Sequence, residues 1–334
     1  MPAMYIQEAL FNRIKEKIPA QYALVDYISE LLGISPDSAY RRIRGEKILS
    51  LDEFYLLCKH FDICSDEVMN RKSDYISFRS IVLDEKTFRF EQYLEAVLND
   101  FKQLADGDHP ELMIILNELN LFQMLQEPAV AAFKFFFWSK SNLGFSDYRE
   151  LKFTLDNDHS TIHEISRRIL DIYIRVPTVE LMATEAINSM LKQIRYYYET
   201  GVIQTVEMIQ RLCDSLLRLI AHIRKQAELG FKFHTDQEPM GEVGNYQLYY
   251  NDMVLVDNTF LARNEKSRWT YLTNNAINLM ITEQPDFFQQ NYEWGRNLIS
   301  KSILISGSAE KERIKFFRHL EDQVGILRTE LSPH

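Results

Sequence analysis

Cysteine, proline and glycine are scarce in this chain of 334 residues, which contains 3, 9 and 11 of them. The three cysteines, Cys58, Cys64 and Cys213, form neither a Cys-x-x-Cys pair nor an even set. That usage is typical of a protein from a reducing compartment. Because glycine and proline are few, we expect turns to be scarce and helices to be long.

The sequence also lacks a long hydrophobic run and a charged-then-apolar leader at its start. Its most apolar stretch, PAVAAFKFFFW at 128–138, is too short to span a bilayer and contains Lys134. We therefore expect a soluble, cytoplasmic protein that has no membrane partner.

Recognisable catalytic patterns are missing as well. We find no glycine-rich phosphate loop, no Gly-x-Ser-x-Gly elbow and no evident pair of catalytic carboxylates. His159 and His163 have a spacing that two metal ligands could use, but no nearby Cys or His offers a third ligand. We interpret both as surface histidines. The sequence thus predicts no enzymatic activity, no cofactor and no metal site.

Acidic residues outnumber basic ones, and the formal net charge is −10. Residues 1–74 carry −2 of this charge and the remainder −8, so the acidity lies mainly outside the N-terminal part. Residues 36–47 are locally +2. Contact with nucleic acid would therefore depend on a narrow basic strip and be sensitive to salt, and non-specific coating of DNA or RNA is not expected.

Two short helices joined by a tight turn are predicted between residues 24 and 44. The first has apolar residues at helical spacing along one face, namely Leu24, Ile28, Leu31 and Leu32. Gly33 follows, where the helix must end in a left-handed residue. Ser35 can cap the next helix, and Pro36 occupies its first position, where a missing N–H has no consequence.

The second helix, residues 36–44, turns Ala39 and Ile43 inward and carries polar and basic groups on its other side. Arginine can donate two hydrogen bonds to guanine, and a serine or a helix start can bind phosphate. This face therefore suits a reader of the DNA major groove, and Lys47 is placed for the DNA backbone. The predicted DNA-contacting residues are Ser35, Asp37, Ser38, Tyr40, Arg41, Arg42, Arg44 and Lys47.

Helix-start signals continue on both sides of this pair. Ser50 with Glu53 forms a capping box, which marks the start of a further helix. Ser65 opens a short one in the same manner. An amphipathic helix is expected before them at residues 4–18, with the apolar face Ile6, Leu10, Ile14 and Ile18.

The motifs LLGIS, SAYRRIRG and LSLDEFYLLCKHFDI resemble the lambda-repressor-like helix-turn-helix family over about residues 21–69. The resemblance implies a DNA-binding domain whose recognition helix is residues 36–44 and which binds DNA as a dimer. An apolar residue is common three positions before the closing glycine, where this chain has Arg42, and we expect the Arg42 methylenes to lie along the edge of the core. More loosely, FKFFFW and LISGSAEKERIKFF resemble segments of uncharacterised regulators of this type.

Beyond residue 75 the pattern is mostly helical. Helices are expected near residues 88–105, 160–175, 178–199, 204–228, 285–304 and 308–329. LMIILNEL at 112–119 is consistent with a buried strand, and short β-type runs at 246–281, among them MVLVD, predict a small antiparallel meander. We thus predict a mainly α fold with this one β element. Its predicted parts are a five-helix domain at 1–74, a helical dimerisation or sensor body at 75–235 and an α+β part at 236–334.

These observations favour a transcriptional regulator that binds double-stranded DNA as a homodimer, with an unknown small-molecule or peptide effector. The aromatic-rich helices of residues 128–228 are the expected dimer contact, since obligate interfaces favour aromatic side chains over charge. The runs FKFFFW and YYY, at 133–138 and 196–198, are also compatible with a core or a ligand pocket. Two alternatives stay open: a protein–protein adaptor that uses the same helices, and an enzyme with a DNA-targeting module.

Overall fold

The computed structural model describes residues 3–18, 23–63, 65–69, 76–80, 83–156, 160–251, 258–275 and 277–331. The chain divides into two compact units, the N-terminal unit Met1–Ser77 and the C-terminal unit Phe78–His334. Among the described residues, the N-terminal unit contains helices alone, whereas the C-terminal unit combines helices with a sheet.

The N-terminal unit is built from short helices joined by tight turns. Their bounds are α1 Ala3–Lys17, α2 Leu24–Leu32, α3 Pro36–Ile43, α4 Leu51–His60 and α5 Ser65–Met69. Each of the first four contributes an apolar stripe to one core, because a short amphipathic helix is stable only when that stripe is buried. Buried members of this core include Leu10, Phe11, Ile14, Ile28, Ala39 and Leu57.

Side-chain caps fix where two of these helices begin. The Ser35 hydroxyl accepts a hydrogen bond from the Ser38 N–H, at 3.3 Å, at the start of α3. At the start of α4 the Ser50 hydroxyl accepts from the Glu53 N–H at 3.1 Å, and the Glu53 carboxylate accepts from the Ser50 N–H at 2.9 Å. The predicted capping box is confirmed, and it satisfies two backbone donors that a helix start leaves unpaired.

The C-terminal unit alternates strands with helices for most of its length. Its helices are α6 Phe90–Ala105, α7 Leu121–Met124, α8 Pro128–Phe137, α9 Ser160–Tyr173, α10 Asn188–Glu199, α11 Val206–Leu229, α12 Pro285–Ser300 and α13 Glu310–Glu330. Its strands are β1 Arg79–Ser80, β2 Glu111–Leu116, β3 Thr178–Ala183, β4 Tyr246–Asn251, β5 Thr259–Arg263, β6 Arg268–Asn274, β7 Asn278–Thr282 and β8 Ile303–Leu304. A π-helical turn, Trp138–Asn142, extends α8. None of the helices in the described ranges is long and apolar enough to cross a membrane.

The described strands form one mixed sheet in the order β1-β7-β6-β5-β2-β3-β4-β8. At its centre β2, β3 and β4 are parallel neighbours, and helices connect each to the next. Parallel pairing requires such long crossover connections, which also cover the sheet. On one side β5, β6, β7 and β1 continue the sheet in antiparallel fashion, and β8 closes the other edge.

The central strands are buried on both faces. On β2, Leu112, Ile114 and Leu116 belong to the large core beneath the crossover helices, while Met113 and Ile115 pack with Phe288 of α12 on the opposite face. The approach of α12 is close at Gly295. A Cβ atom there would lie 2.7 Å from the Met113 sulfur and 2.9 Å from Ile115 Cδ1. A larger residue at this position would force the ends of these two side chains to move.

The predicted fold class, a mainly α chain with a small antiparallel element near 246–281, is wrong. The strands of that region do not form a separate meander, because β4 pairs in parallel with β3, and β5 pairs with β2. Strands from before and after residue 235 therefore share one mixed sheet. The predicted strand MVLVD, at 253–257, lies outside the described residues.

The strand β3 explains much of this error. The sequence pattern predicts a helix at 178–199 that begins with TVELMA. The structure instead forms β3 from these six residues and begins α10 only at Asn188. Five of the six residues of β3 are buried, so the strand lacks the alternation of apolar and polar residues that marks a half-exposed strand. A short apolar run of this kind cannot be told from a buried helix by its periodicity.

The aromatic run of α8 lies inside the C-terminal unit rather than on its surface. Phe133, Phe135, Phe136 and Trp138 are all part of the large core, and Tyr197 of α10 packs among them. The expected dimer contact through the aromatic side chains of these helices is therefore not supported, because the core already uses them.

Leu57 and Ile43 allow a direct test of the N-terminal core. Leu57 is fully buried and Ile43 is half-buried against the same cluster. We expect Leu57→Ala to lower the free energy of unfolding of this unit by about 2–5 kcal/mol, as large-to-small core changes do. Ile43→Ala should lower it by about half as much, in proportion to the apolar area that is lost.

Amide hydrogen exchange of the full chain, resolved by peptide, measures this loss for α1–α4 alone. Leu51→Ala is the matched control, since Leu51 lies on the same helix as Leu57 and is 83% exposed. Wild-type protection of α1–α4 in Leu57→Ala would contradict this description of the core.

Candidate nucleic-acid interface

The turn between α2 and α3 depends on Gly33. This residue ends α2 with φ +63°, a left-handed conformation that glycine adopts without strain. The next residue, Ile34, donates its N–H to the Ser29 carbonyl at 3.0 Å, which closes the turn. Ile28 of α2 and Ala39 of α3 are both fully buried in the core shared by the two helices. The short Ala39 side chain allows α3 to pack closely on that core.

The opposite side of α3 is exposed. Asp37, Tyr40 and Arg41 face solvent, and Ser38 is half-buried beside them. Ser35 is exposed as well, but its oxygen is already used as the cap of α3. Its hydroxyl proton remains able to bind an anion such as a phosphate oxygen.

Arg44, at the end of α3, is held by its neighbours on this surface. It donates a hydrogen bond to the Tyr40 hydroxyl at 3.2 Å, and its guanidinium lies 5.5 Å from the centre of the Tyr40 ring. Its Nε also lies 3.8 Å from a carboxylate oxygen of Glu46. These contacts are solvent-exposed and weak, so they orient Arg44 while leaving it available to a partner.

Arg42, which we predicted to contact DNA, instead faces the interior. Only 5% of this residue is exposed. Its Nη2 and Nε donate to the two carboxylate oxygens of Glu53 on α4, at 2.6 and 3.0 Å. Its Nη1 donates to the carbonyl and hydroxyl oxygens of Ser38 at 3.2 and 2.6 Å. Because all three guanidinium nitrogens are used in these contacts, Arg42 is removed from the candidate DNA-contacting set.

The helix geometry accounts for this orientation. Arg42 follows the buried Ala39 by three residues, which places the two on the same side of α3. The partner of Arg42 is Glu53, the same residue that forms the capping box of α4. The Arg42 guanidinium lowers the pKa of the Glu53 carboxyl, chiefly through the direct hydrogen bond.

Gln7 on α1 is a positioning residue that the sequence analysis missed. Its side-chain nitrogen donates to the carbonyl oxygens of Arg42 and Lys47, at 2.6 and 2.8 Å. Its side-chain oxygen accepts from the Leu49 N–H at 2.9 Å. One buried amide thus ties the end of α3 to the segment that follows it. The sequence does contain a signal for this role. Gln7 lies at helical spacing from the buried Leu10 and Ile14, so a polar side chain is placed on the buried face of α1.

The segment after α3 presents Lys47. Gly45 has φ +76°, and the Lys47 N–H donates back to the Arg41 carbonyl at 3.1 Å. With its N–H and carbonyl both bonded, the Lys47 backbone is fixed while its side chain is exposed. The surface therefore presents the cations Arg41, Arg44 and Lys47, opposed by two exposed carboxylates. Such a set can donate hydrogen bonds to phosphates and to base edges.

The sequence has two other candidate ligands, His159 and His163, for a metal ion. His163 is exposed on α9, and His159 lies outside the described residues. No group of three or more His, Cys, Asp or Glu side chains that could hold a metal ion occurs in the part of the chain that the structure describes.

The ion pair between Arg42 and Glu53 predicts a specific dependence on pH. A carboxyl whose pKa is lowered on folding stabilises the protein above its unfolded pKa, here near 4.5, and this contribution is lost as the pH falls through the lower folded pKa. We therefore expect Glu53→Gln to destabilise the N-terminal unit by about 1–3 kcal/mol near neutral pH. The deficit should shrink below about pH 4.

Urea unfolding of the full chain at a series of pH values measures this difference. Asp52→Asn is the matched control, because it removes one exposed carboxylate from the same turn of α4. A Glu53→Gln deficit that is absent at neutral pH, or that is unchanged at low pH, would show that the ion pair does not stabilise the unit.

Comparison with known proteins gives no independent assignment of this surface. No protein-family model, curated protein or solved structure matches the chain.

Proposed function

We propose that the protein is a sequence-specific DNA-binding transcriptional regulator that reads DNA with the outward face of α3. The observation that carries this proposal is the set of three exposed cations, Arg41, Arg44 and Lys47, on a backbone that buried contacts hold in place. The resemblance of residues 21–69 to lambda-repressor-like helix-turn-helix proteins supports the same function.

The proposed contacts divide into two kinds. Arg41 and Arg44 project from α3 and its last turn, where an arginine in the major groove can donate two hydrogen bonds to guanine O6 and N7. Lys47 lies beyond the helix end and suits a phosphate, as does the hydroxyl of Ser35 at the helix start. Tyr40 orients Arg44 and stays accessible at 46% exposure.

The charge balance sets the expected strength of binding. Only three exposed cations face the DNA in this arrangement, and two carboxylates lie among them. Each phosphate contact contributes about −0.9 to the slope of the logarithm of affinity against the logarithm of salt concentration. One copy should therefore bind DNA weakly, and its affinity should depend only modestly on salt concentration. Two copies on a symmetric site would double both the binding free energy from these contacts and the salt slope. A homodimer is accordingly part of the proposal.

The test begins with selection of duplexes from a random library by the full chain. We expect Arg41→Ala and Arg44→Ala each to weaken binding to the enriched duplex by about 5- to 150-fold, the equivalent of about 1–3 kcal/mol. Lys47→Ala should weaken binding to all duplexes alike and reduce the salt slope by about 1 per copy. Titration at two salt concentrations measures both effects.

Lys266→Ala serves as the control, because it removes an exposed cation from the turn between β5 and β6 of the C-terminal unit. It should bind like wild type. If no duplex is enriched, or if the α3 variants also bind like wild type, the DNA-reading assignment fails and the adaptor alternative becomes the better account.

A further inference from the structure

A cavity lies in the C-terminal unit, between α6 and α7 on one side and strands β2, β5, β6 and β7 on the other. It encloses about 80 Å³. One water molecule needs about 10–15 Å³ of such space, so the cavity can take about five to eight groups of that size. That capacity fits a single aromatic ring with one substituent.

The cavity wall is mainly apolar and aromatic. Val97 and Phe101 of α6, Phe122 of α7 and Phe260 of β5 contribute to it, and so does Trp138. Aromatic walls favour an aromatic guest, since ring pairs gain about 0.5–1.5 kcal/mol beyond the area that they bury. The lining therefore selects a ligand with an aromatic body.

The polar groups at this cavity include two carboxylates. Asp100 of α6 and Glu118, which follows β2, both line it. No lysine, arginine or histidine lines the cavity among the residues that the structure describes. A carboxylate accepts hydrogen bonds and repels anions, so this lining disfavours an acid and favours a ligand that donates a hydrogen bond.

Both carboxylates already have a cation nearby, outside the cavity wall. Glu118 accepts from the Lys134 ammonium at 3.0 Å and from the Asn258 amide at 3.3 Å. Asp100 lies 3.8 Å from the Arg79 guanidinium. A cationic ligand would have to give up its hydration without gaining a carboxylate of its own, which is unfavourable in an apolar site. A neutral donor meets no such penalty.

Asp100 is the better acceptor of the two. Its cation, Arg79, is 60% exposed and more distant than the Lys134 ammonium that neutralises Glu118. Burial raises the pKa of Asp100 to about 6, against the opposing effects of Arg79 and of the hydrogen bond that the Tyr271 hydroxyl donates to this carboxylate, whose other lone pairs can accept from a ligand. The carboxyl is therefore mainly ionised at neutral pH, in surroundings where an added hydrogen bond to it is worth more than in water.

We propose that this cavity binds a small neutral aromatic molecule that carries one hydrogen-bond donor, of the size of phenol, with the donor directed at the Asp100 carboxylate. This site lies wholly within the C-terminal unit, and ligand binding there does not require DNA binding by α3. It gives the C-terminal unit a ligand-binding role that the α3 surface does not supply.

Isothermal titration of the full chain, without DNA, tests the site. Phenol should bind with a dissociation constant on the order of 0.1 mM, as well-buried ligands of this size can. Toluene lacks the donor, benzoate is an anion and benzylamine is a cation, and each should bind at least about 10-fold more weakly than phenol. Equal binding of benzoate or benzylamine, or no binding of phenol, would overturn the proposal.

Two variants locate the binding. Ala262→Phe places a ring in the cavity from β5 and should abolish binding of every probe. Asp100→Leu should lower the affinity for phenol about 10-fold, to that of toluene, without weakening toluene itself. Asn99→Leu, an exposed position on α6 next to Asp100, is the matched control and should bind like wild type.

The second variant keeps the test decisive if Ala262→Phe fails to fold. Phenol binding that is unchanged in Asp100→Leu would overturn the assignment of the donor to this carboxylate. Binding that persists in a folded Ala262→Phe protein would place the ligand elsewhere and overturn the site itself.

Discussion

The surface that we propose to read DNA depends on an ion pair that lies behind it, between α3 and α4. Arg42 turns inward from α3 and joins Glu53 of α4, and Glu53 at the same time caps the start of α4. One carboxylate thus fixes both helices. Gln7 adds a clamp from α1, which holds the carbonyl oxygens of Arg42 and Lys47. With the backbone held from behind, the exposed cations keep their spacing without needing contacts of their own.

The C-terminal unit depends on a different constraint, the burial of parallel strands. A parallel strand needs cover on both faces, and here α12 covers one face while the crossover helices cover the other. The aromatic side chains of α8 are used in the latter core. The cavity beside Asp100 lies within the same unit, between α6 and α7 and the strands β2, β5, β6 and β7. The two units therefore offer different chemistry. The N-terminal unit presents exposed cations, and the C-terminal unit contains a mainly apolar cavity that is also lined by two carboxylates.

Local signals in the sequence predicted local structure well. The capping box at Ser50 and the left-handed Gly33 depend on residues within a few positions of each other, and the structure has both. Partners far apart in sequence were not predictable in this way. Gln7 lies 35 residues from Arg42, and nothing in a single sequence pairs them. The strand β3 was missed because a strand buried on both faces carries no alternation, and the central sheet was missed with it.

Photo-crosslinking tests the central claim most directly, because it reports which residues touch DNA. The full chain would be bound to an enriched duplex that carries 5-iodouracil in place of thymine, irradiated, and digested for mass spectrometry. Our account predicts crosslinked peptides from residues 36–47, with Tyr40 as the main acceptor because it is an exposed aromatic side chain on the reading face. Crosslinks confined to residues outside 36–47 would contradict it, since the surface held by Arg42 and Gln7 would then not be the one that reads DNA.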